Sequence, residues 1–232
     1  MVTLVLLPGM DGTGTLFEPF VTALGGEFNI RVVTYPTDLP LGYADLESIA
    51  AAAIPAEGPL VLLGESFSGP IAVSLAEAYA SRVKGLVLCC TFVRNPRAAL
   101  TILRWLVGFV PVGFVPPRII SHFLLGRFAT PGLRLALQQA LAQVSPSVLR
   151  ARLQAVLSVD ASAKLAAVKA PVLCLQASQD RLIPASAASQ VLQVCPSAKV
   201  VRFSAPHCLL QSVPSEAAKI VAAFIHDIEY TR

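Results

Sequence analysis

A serine hydroxyl becomes a useful nucleophile when a tight turn exposes it and a base can take its proton. The segment Leu60–Pro70 supplies the turn. An apolar run, Leu60-Val61-Leu62-Leu63, enters Gly64-Glu65-Ser66-Phe67-Ser68-Gly69, and a helical pattern begins near Pro70. Strand, tight turn and helix in that order hold a serine above the edge of a sheet, and small neighbours let strand and helix approach. The spacing departs from G-x-S-x-G, because Ser68 closes the motif and the glycine follows at position 69. Serine is small enough to keep the fit. Read on its own, Ser66 has a helix N-cap as its structural alternative, with the nucleophile the better fit.

A second cluster of small residues, Pro8-Gly9-Met10-Asp11-Gly12-Thr13-Gly14, follows the first apolar run. It invites comparison with a nucleotide-binding loop. Its spacing is G-x-x-G-x-G rather than G-x-G-x-x-G, and no Lys-Ser/Thr pair follows, which argues against phosphate binding. A glycine-rich turn without chemistry remains the plain alternative. The search for a base is short, since the chain has 3 histidines. His122 lies beside Phe123 and Leu124, His226 lies in a C-terminal helical pattern, and His207 lies in the loop Ser204-Ala205-Pro206-His207-Cys208 after an apolar run. No histidine and cysteine spacing suggests a zinc cluster, and the chemistry calls for no cofactor.

These loops together resemble those of the α/β-hydrolase family, and the resemblance extends over nearly the whole chain while being strict only at the loops. It implies Ser66 as nucleophile, His207 as base and Asp180, in Gln179-Asp180-Arg181-Leu182-Ile183-Pro184, as the acid that orients the histidine. The order Ser66, Asp180, His207 is the family's own. Asp180 could otherwise pair with Arg181 or serve a turn. Asp160 is the rival acid, better placed as a helix-end residue. The resemblance also implies an oxyanion hole from the backbone N–H groups of Met10 and Phe67. Pro8 stands where the family usually has histidine, but main-chain donors do not need that side chain.

The elements that must position these loops are short runs rich in Val, Leu and Ile at Val2–Leu7, Ile30–Tyr35, Leu60–Leu63, Gly85–Cys90, Pro171–Gln176 and Lys199–Phe203. Helical patterns alternate with them at Leu16–Leu24, Tyr43–Ala53, Ser68–Tyr79, Ala185–Val194 and Glu216–Ile228. The alternation predicts an α/β fold, a six-stranded, all-parallel, doubly wound sheet. By the resemblance its order is 2-1-3-4-5-6, without the two leading strands common in the family.

Residues 92–163 break the alternation. They read as about four short helices, and they hold eight arginines (Arg94, Arg97, Arg104, Arg118, Arg127, Arg134, Arg150 and Arg152) against one acid, Asp160. This segment is expected to be a helical lid inserted after the fourth strand, with residues 1–91 and 164–232 forming the core. Its inner face, with Trp105, would line an apolar pocket, and its outer arginines would favour anionic carriers or surfaces.

With 232 residues, 55% hydrophobic and 14% charged, the chain can bury a large core, which excludes disordered and fibrous classes. Arg104 and Pro111 interrupt Ala98–Pro117, so no membrane span is expected. No export signal is read at the first residues, and the 5 cysteines, among them Cys89, Cys90 and Cys174, read as reduced thiols of a cytoplasmic protein. The expected activity is hydrolysis of carboxylic esters with apolar acyl chains of short to medium length, through an acyl-enzyme. Alternatives are a thioesterase or acyltransferase working on acyl-CoA or an acyl carrier, or a ligand-binding protein on the same scaffold. No nucleic-acid partner is expected, and the sequence leaves the oligomeric state open.

Overall fold

Strands apolar on both faces can be buried only between two helical layers, and that arrangement is found in the computed structural model, which describes residues 2–96 and 115–230. Its six strands are β1 (Thr3–Leu7), β2 (Asn29–Val32), β3 (Leu60–Glu65), β4 (Val83–Cys89), β5 (Val172–Ala177) and β6 (Lys199–Phe203). They form one parallel sheet in the order β2-β1-β3-β4-β5-β6, as the resemblance implies. The described helices are α1 (Glu18–Ala23), α2 (Tyr43–Ala53), α3 (Gly69–Ala78), α4 (Pro117–Leu124), α5 (Pro131–Ala142), α6 (Pro146–Ser158), α7 (Ser162–Ala167), α8 (Ser186–Val194), α9 (Leu209–Ser212) and α10 (Pro214–Tyr230).

Alternation along each central strand divides the core. Leu4 and Leu6 of β1 pack with Phe20 of α1 and with Val221 and Ile225 of α10. Val5 and Leu7 face the other way, toward Leu46 of α2, Ile71 of α3, Leu165 of α7 and Val191 of α8. The side-chain period of two sends consecutive leucines and valines to opposite layers. β1 and β3 are buried at every residue, whereas β2 alternates exposed and half-buried positions and β6 fully buries only Phe203.

Five of the six strands differ by one to three residues from their expected limits, β6 alone matching them, and β2 and β4 show the cause. β2 stops at Val32 because Tyr35 N–H turns to the Gly12 carbonyl at 2.8 Å, taking the chain out of the ladder and over the glycine-rich loop. β4 begins earlier, at Val83, and ends at Cys89, after which Cys90 turns into the left-handed region at φ 45°.

Between β4 and β5 the described elements are helices joined by short loops. α5 and α6 start at Thr130-Pro131 and Ser145-Pro146: Thr130 and Ser145 accept the N–H groups of Leu133 and Val148, and each proline occupies the first turn. The two ends of this segment meet, since Arg94 and Asp160 form an antiparallel bridge and Ala161 N–H reaches Val93 O at 2.7 Å. α7, which the sequence pattern did not single out, crosses the expected 163/164 boundary and buries Leu165 against the sheet. Residues 97–114, including Arg97, Arg104 and Trp105 of the expected lid, lie outside the described residues. Among those described, no helix is long and apolar enough to cross a membrane. All five cysteines are free, four of them buried and Cys195 half-buried.

Candidate active site

The turn from β3 to α3 carries Ser66 at φ 50°, a left-handed conformation that costs a non-glycine residue energy and must be held by its surroundings. Several side chains hold it. The Thr91 hydroxyl donates to Ser66 O, and the Tyr43 hydroxyl donates to Phe67 O at 3.0 Å while its ring stacks on Phe67 with centroids 4.7 Å apart. Ser68 explains the departure in the motif. Its hydroxyl donates to Pro8 O and meets the Tyr35 hydroxyl at 2.9 Å, joining the turn to the glycine-rich loop. The close approach falls one residue later, where a Cβ on Gly69 would clash with the Thr91 side chain.

The three residues of the expected triad come together at the carboxyl ends of the strands. Ser66 Oγ lies 2.8 Å from His207 Nε2, and His207 Nδ1 lies 2.8 Å from Asp180 Oδ2. The His207 and Asp180 side chains are only 6% and 5% exposed. Asp180 uses its other oxygen, Oδ1, to accept Leu182 N–H at 2.8 Å and Ile183 N–H at 2.9 Å. Its loop is tied to the histidine loop, because Ser178 N–H reaches Phe203 O at 2.9 Å and Gln179 N–H reaches Ala205 O at 3.0 Å.

The other candidates sit elsewhere. Arg181 turns from Asp180 to His122, donating to its Nε2 at 2.6 Å and its carbonyl at 2.9 Å. His226 Nε2 is 2.7 Å from Glu27 Oε1 on the far side of the core. Asp160 is a helix-end residue: it accepts Ser162 N–H at 2.9 Å, and its bonds to Ser162, with Arg94 nearby, hold its carboxyl below the usual range.

The glycine-rich loop lies against the serine turn. A side chain on Gly9 would come within 3.9 Å of Ser66 Cβ and 4.0 Å of Glu65 Oε2. The loop closes by Gly12 N–H to Gly9 O at 3.1 Å, with Met10 between them half-buried. Beneath it is a buried polar layer. Glu65 is enclosed, its Oε1 accepting Gln211 Nε2 at 3.1 Å, and burial pushes its carboxyl up to about 7 despite that bond. Gln211 Nε2 also reaches Leu16 O at 3.2 Å. Asp11 turns its carboxylate to the N–H and hydroxyl of Thr13 at 2.9 and 2.6 Å.

One expectation about the arginines fails here. Arg152, expected on the outer face of the inserted helices, is 1% exposed. From α6 it donates Nη1 to Met10 O at 2.7 Å and Asp11 O at 3.0 Å, and Nη2 to Pro36 O at 2.9 Å. These carbonyls satisfy most of a buried guanidinium's donors, which is why the charge can leave water. Arg118, Arg127 and Arg134 are exposed as expected.

Chemically, a serine hydroxyl beside an imidazole whose other nitrogen faces a carboxylate can lose its proton to that imidazole as it attacks an electrophilic carbon. The carboxylate fixes the tautomer, placing the proton on Nδ1 and leaving Nε2 free to accept. Sequence reading missed the supports: Tyr35, Tyr43, Thr91, Gln211 and Arg152. The one legible signal was Glu65, an acid at the end of a fully apolar strand.

A family model described as "Alpha/beta hydrolase family" matches residues 4–222. Over 142 residues the chain is 30% identical to phytyl ester synthase 1, chloroplastic, of Arabidopsis thaliana, a match to 56% of this chain that spans only 20% of the plant protein. A lipase-esterase related protein from Clostridium acetobutylicum superposes with TM-score 0.80 at 16% identity, covering 96% of this chain and 94% of that one. A bromoperoxidase from Bacillus anthracis gives TM-score 0.80 at 18% identity, covering 97% and 91% of the two chains.

Proposed function

The chain belongs to the alpha/beta hydrolase family, and from that premise we propose that it is a serine esterase acting on carboxylic esters with an apolar acyl group. The observation that carries the reading is the continuous line from Ser66 Oγ to His207 Nε2 at 2.8 Å and from His207 Nδ1 to Asp180 Oδ2 at 2.8 Å. Ser66 Oγ bonds to the ester carbon while its proton passes to His207 Nε2. Asp180 stabilises the imidazolium, and the tetrahedral oxyanion rests on the N–H groups of Met10 and Phe67. As the carbon–oxygen bond to the alcohol breaks, His207 returns the proton to the leaving oxygen. Water, deprotonated by the same imidazole, then attacks the acyl-enzyme, and the departing Ser66 oxygen recovers the proton. In this reading the described helices α4 to α6, between β4 and β5, serve as a lid, and their apolar face receives the acyl chain.

A second reading is supported by the 30% identity to a phytyl ester synthase. In that reading an alcohol replaces water at the acyl-enzyme, and the product is a new ester. The two share every step up to the acyl-enzyme. Purified protein is offered p-nitrophenyl esters from acetate to palmitate, then acyl-CoA with and without a long-chain alcohol. The esterase reading expects p-nitrophenol release by wild type and none by Ser66→Ala. Ester product formed faster than free acid when alcohol is present would establish the transferase, and equal release by Ser66→Ala would dismiss both.

A further inference from the structure

Burying a guanidinium without an ion-paired carboxylate is costly, and a leucine on α6 would fill the same space more cheaply. Arg152 is nevertheless 1% exposed, and both of its terminal nitrogens are spent on backbone carbonyls of the core. Asp11, the nearby acid that favours its charge, has given its carboxylate to Thr13. A single nitrogen, Nη1, holds two successive carbonyls, those of Met10 and Asp11. That fixes two neighbouring peptide planes, and the Gly12 N–H to Gly9 O bond at 3.1 Å closes the arc behind them. The Met10 N–H belongs to the preceding plane, whose Gly9 carbonyl accepts that Gly12 N–H, so it is tied at one remove to the two planes held from α6. Gly12 is fitted to the same purpose: its φ is +72°, and a Cβ there would lie 2.7 Å from Arg152 Nη1.

We propose that Arg152 is a positioning residue for the oxyanion hole, an inserted-helix side chain that fixes the Met10 N–H toward the reacting carbonyl oxygen. The role rests on the acyl-transfer reading above and deepens it. It makes α6 part of the reaction apparatus, so the inserted helices do more than cover the site.

The test uses the full chain, wild type, Arg152→Gln and Arg152→Lys, with p-nitrophenyl butyrate and the matching thionoester, in which sulfur replaces the carbonyl oxygen. Sulfur accepts N–H hydrogen bonds poorly, so the preference for the oxygen ester reports on the hole. Arg152→Gln is expected to lower kcat on the oxygen ester about 10²-fold with KM changed less than about threefold, and to lower thionoester turnover far less. Arg152→Lys keeps a buried cation with fewer matched donors and should fall between. If Arg152→Gln does not fold, the oxygen-to-sulfur ratio of Arg152→Lys decides on the same criterion. Equal losses on both esters, or none, would overturn the positioning role while leaving the esterase reading intact. A wild type that hydrolyses neither ester would overturn that reading and this role with it.

Discussion

The loop after β5 and the loop leading into α7 each carry an aspartate that accepts a backbone N–H two residues on, Leu182 for Asp180 at 2.8 Å and Ser162 for Asp160 at 2.9 Å. The local device is the same Asx turn. What differs is the neighbourhood of the remaining carboxylate oxygen. Asp180 hangs from the carboxyl end of a central strand, enclosed and 2.8 Å from His207 Nδ1. Asp160 sits on the surface at the base of the inserted segment, with Arg94 as its charged neighbour. Open α/β sheets gather ligands at their carboxyl edge, and an acid becomes a participant by which strand end supplies it.

The comparison needs a floor, which Ser66→Ala sets: kcat on p-nitrophenyl butyrate should fall about 10⁶-fold with the melting temperature little changed. Retention of turnover would mean that neither aspartate serves this site. Against that floor, Asp180→Asn should cost about 10⁴-fold in kcat by favouring the wrong imidazole tautomer, and Asp160→Asn less than about twofold. A larger kinetic loss in Asp160→Asn, at equal thermal stability, would reverse their roles.

Glu65 extends the contrast from hydrogen bonding to burial. Its carboxyl is raised to about 7 from an ordinary 4.5, with desolvation as the main cause. Below the lower value both folded and unfolded chains carry the proton. As pH rises the unfolded chain ionises first, so the stability contributed by neutral Glu65 is lost as pH climbs through about 7. The loss is about 3 kcal/mol in all. Glu65→Gln should therefore gain in melting temperature relative to wild type at pH 8 and not at pH 4. A difference that ignores pH would show that Glu65 does not change protonation on unfolding.

The smallest effect belongs to Asp160, whose carboxyl is lowered, with the opposite sign. Its contribution is present above the unfolded value and lost as pH falls through the folded one. Asp160→Asn should cost less than about 1 kcal/mol at pH 7, solvent screening included, and nothing at strongly acid pH. Chemical denaturation at the two pH values measures it.

Local sequence made the strands and the loops at their ends legible. An apolar run followed by Gly-Glu-Ser-Phe-Ser-Gly carries its own strand, turn and helix, and the six-strand order followed from the resemblance at such loops. Arg152 illustrates what remained hidden. On α6 it follows Arg150 and Ala151 like any solvated charge, and only the docking of that helix on the Met10-Asp11 turn buries it. In the sequence Ser68 passes as a tolerated substitute for glycine. Its bond to Pro8 O spans 60 positions and has no local signature. β2 was read too far because Thr34-Tyr35 is as strand-like as Arg31-Val32, and a distant acceptor, Gly12 O, diverts it.

The sheet's two borders carry a consequence for behaviour in concentrated solution. β2 offers its outer edge with Asn29 and Arg31 exposed, and β6 offers the other with Lys199 and Arg202 exposed. Open main-chain donors and acceptors there would welcome a seventh strand from another molecule. Any copy approaching edge to edge, by either border, would bring cation against cation, which opposes sheet extension. Neutralising Arg31, Lys199 and Arg202 would remove that opposition at both borders.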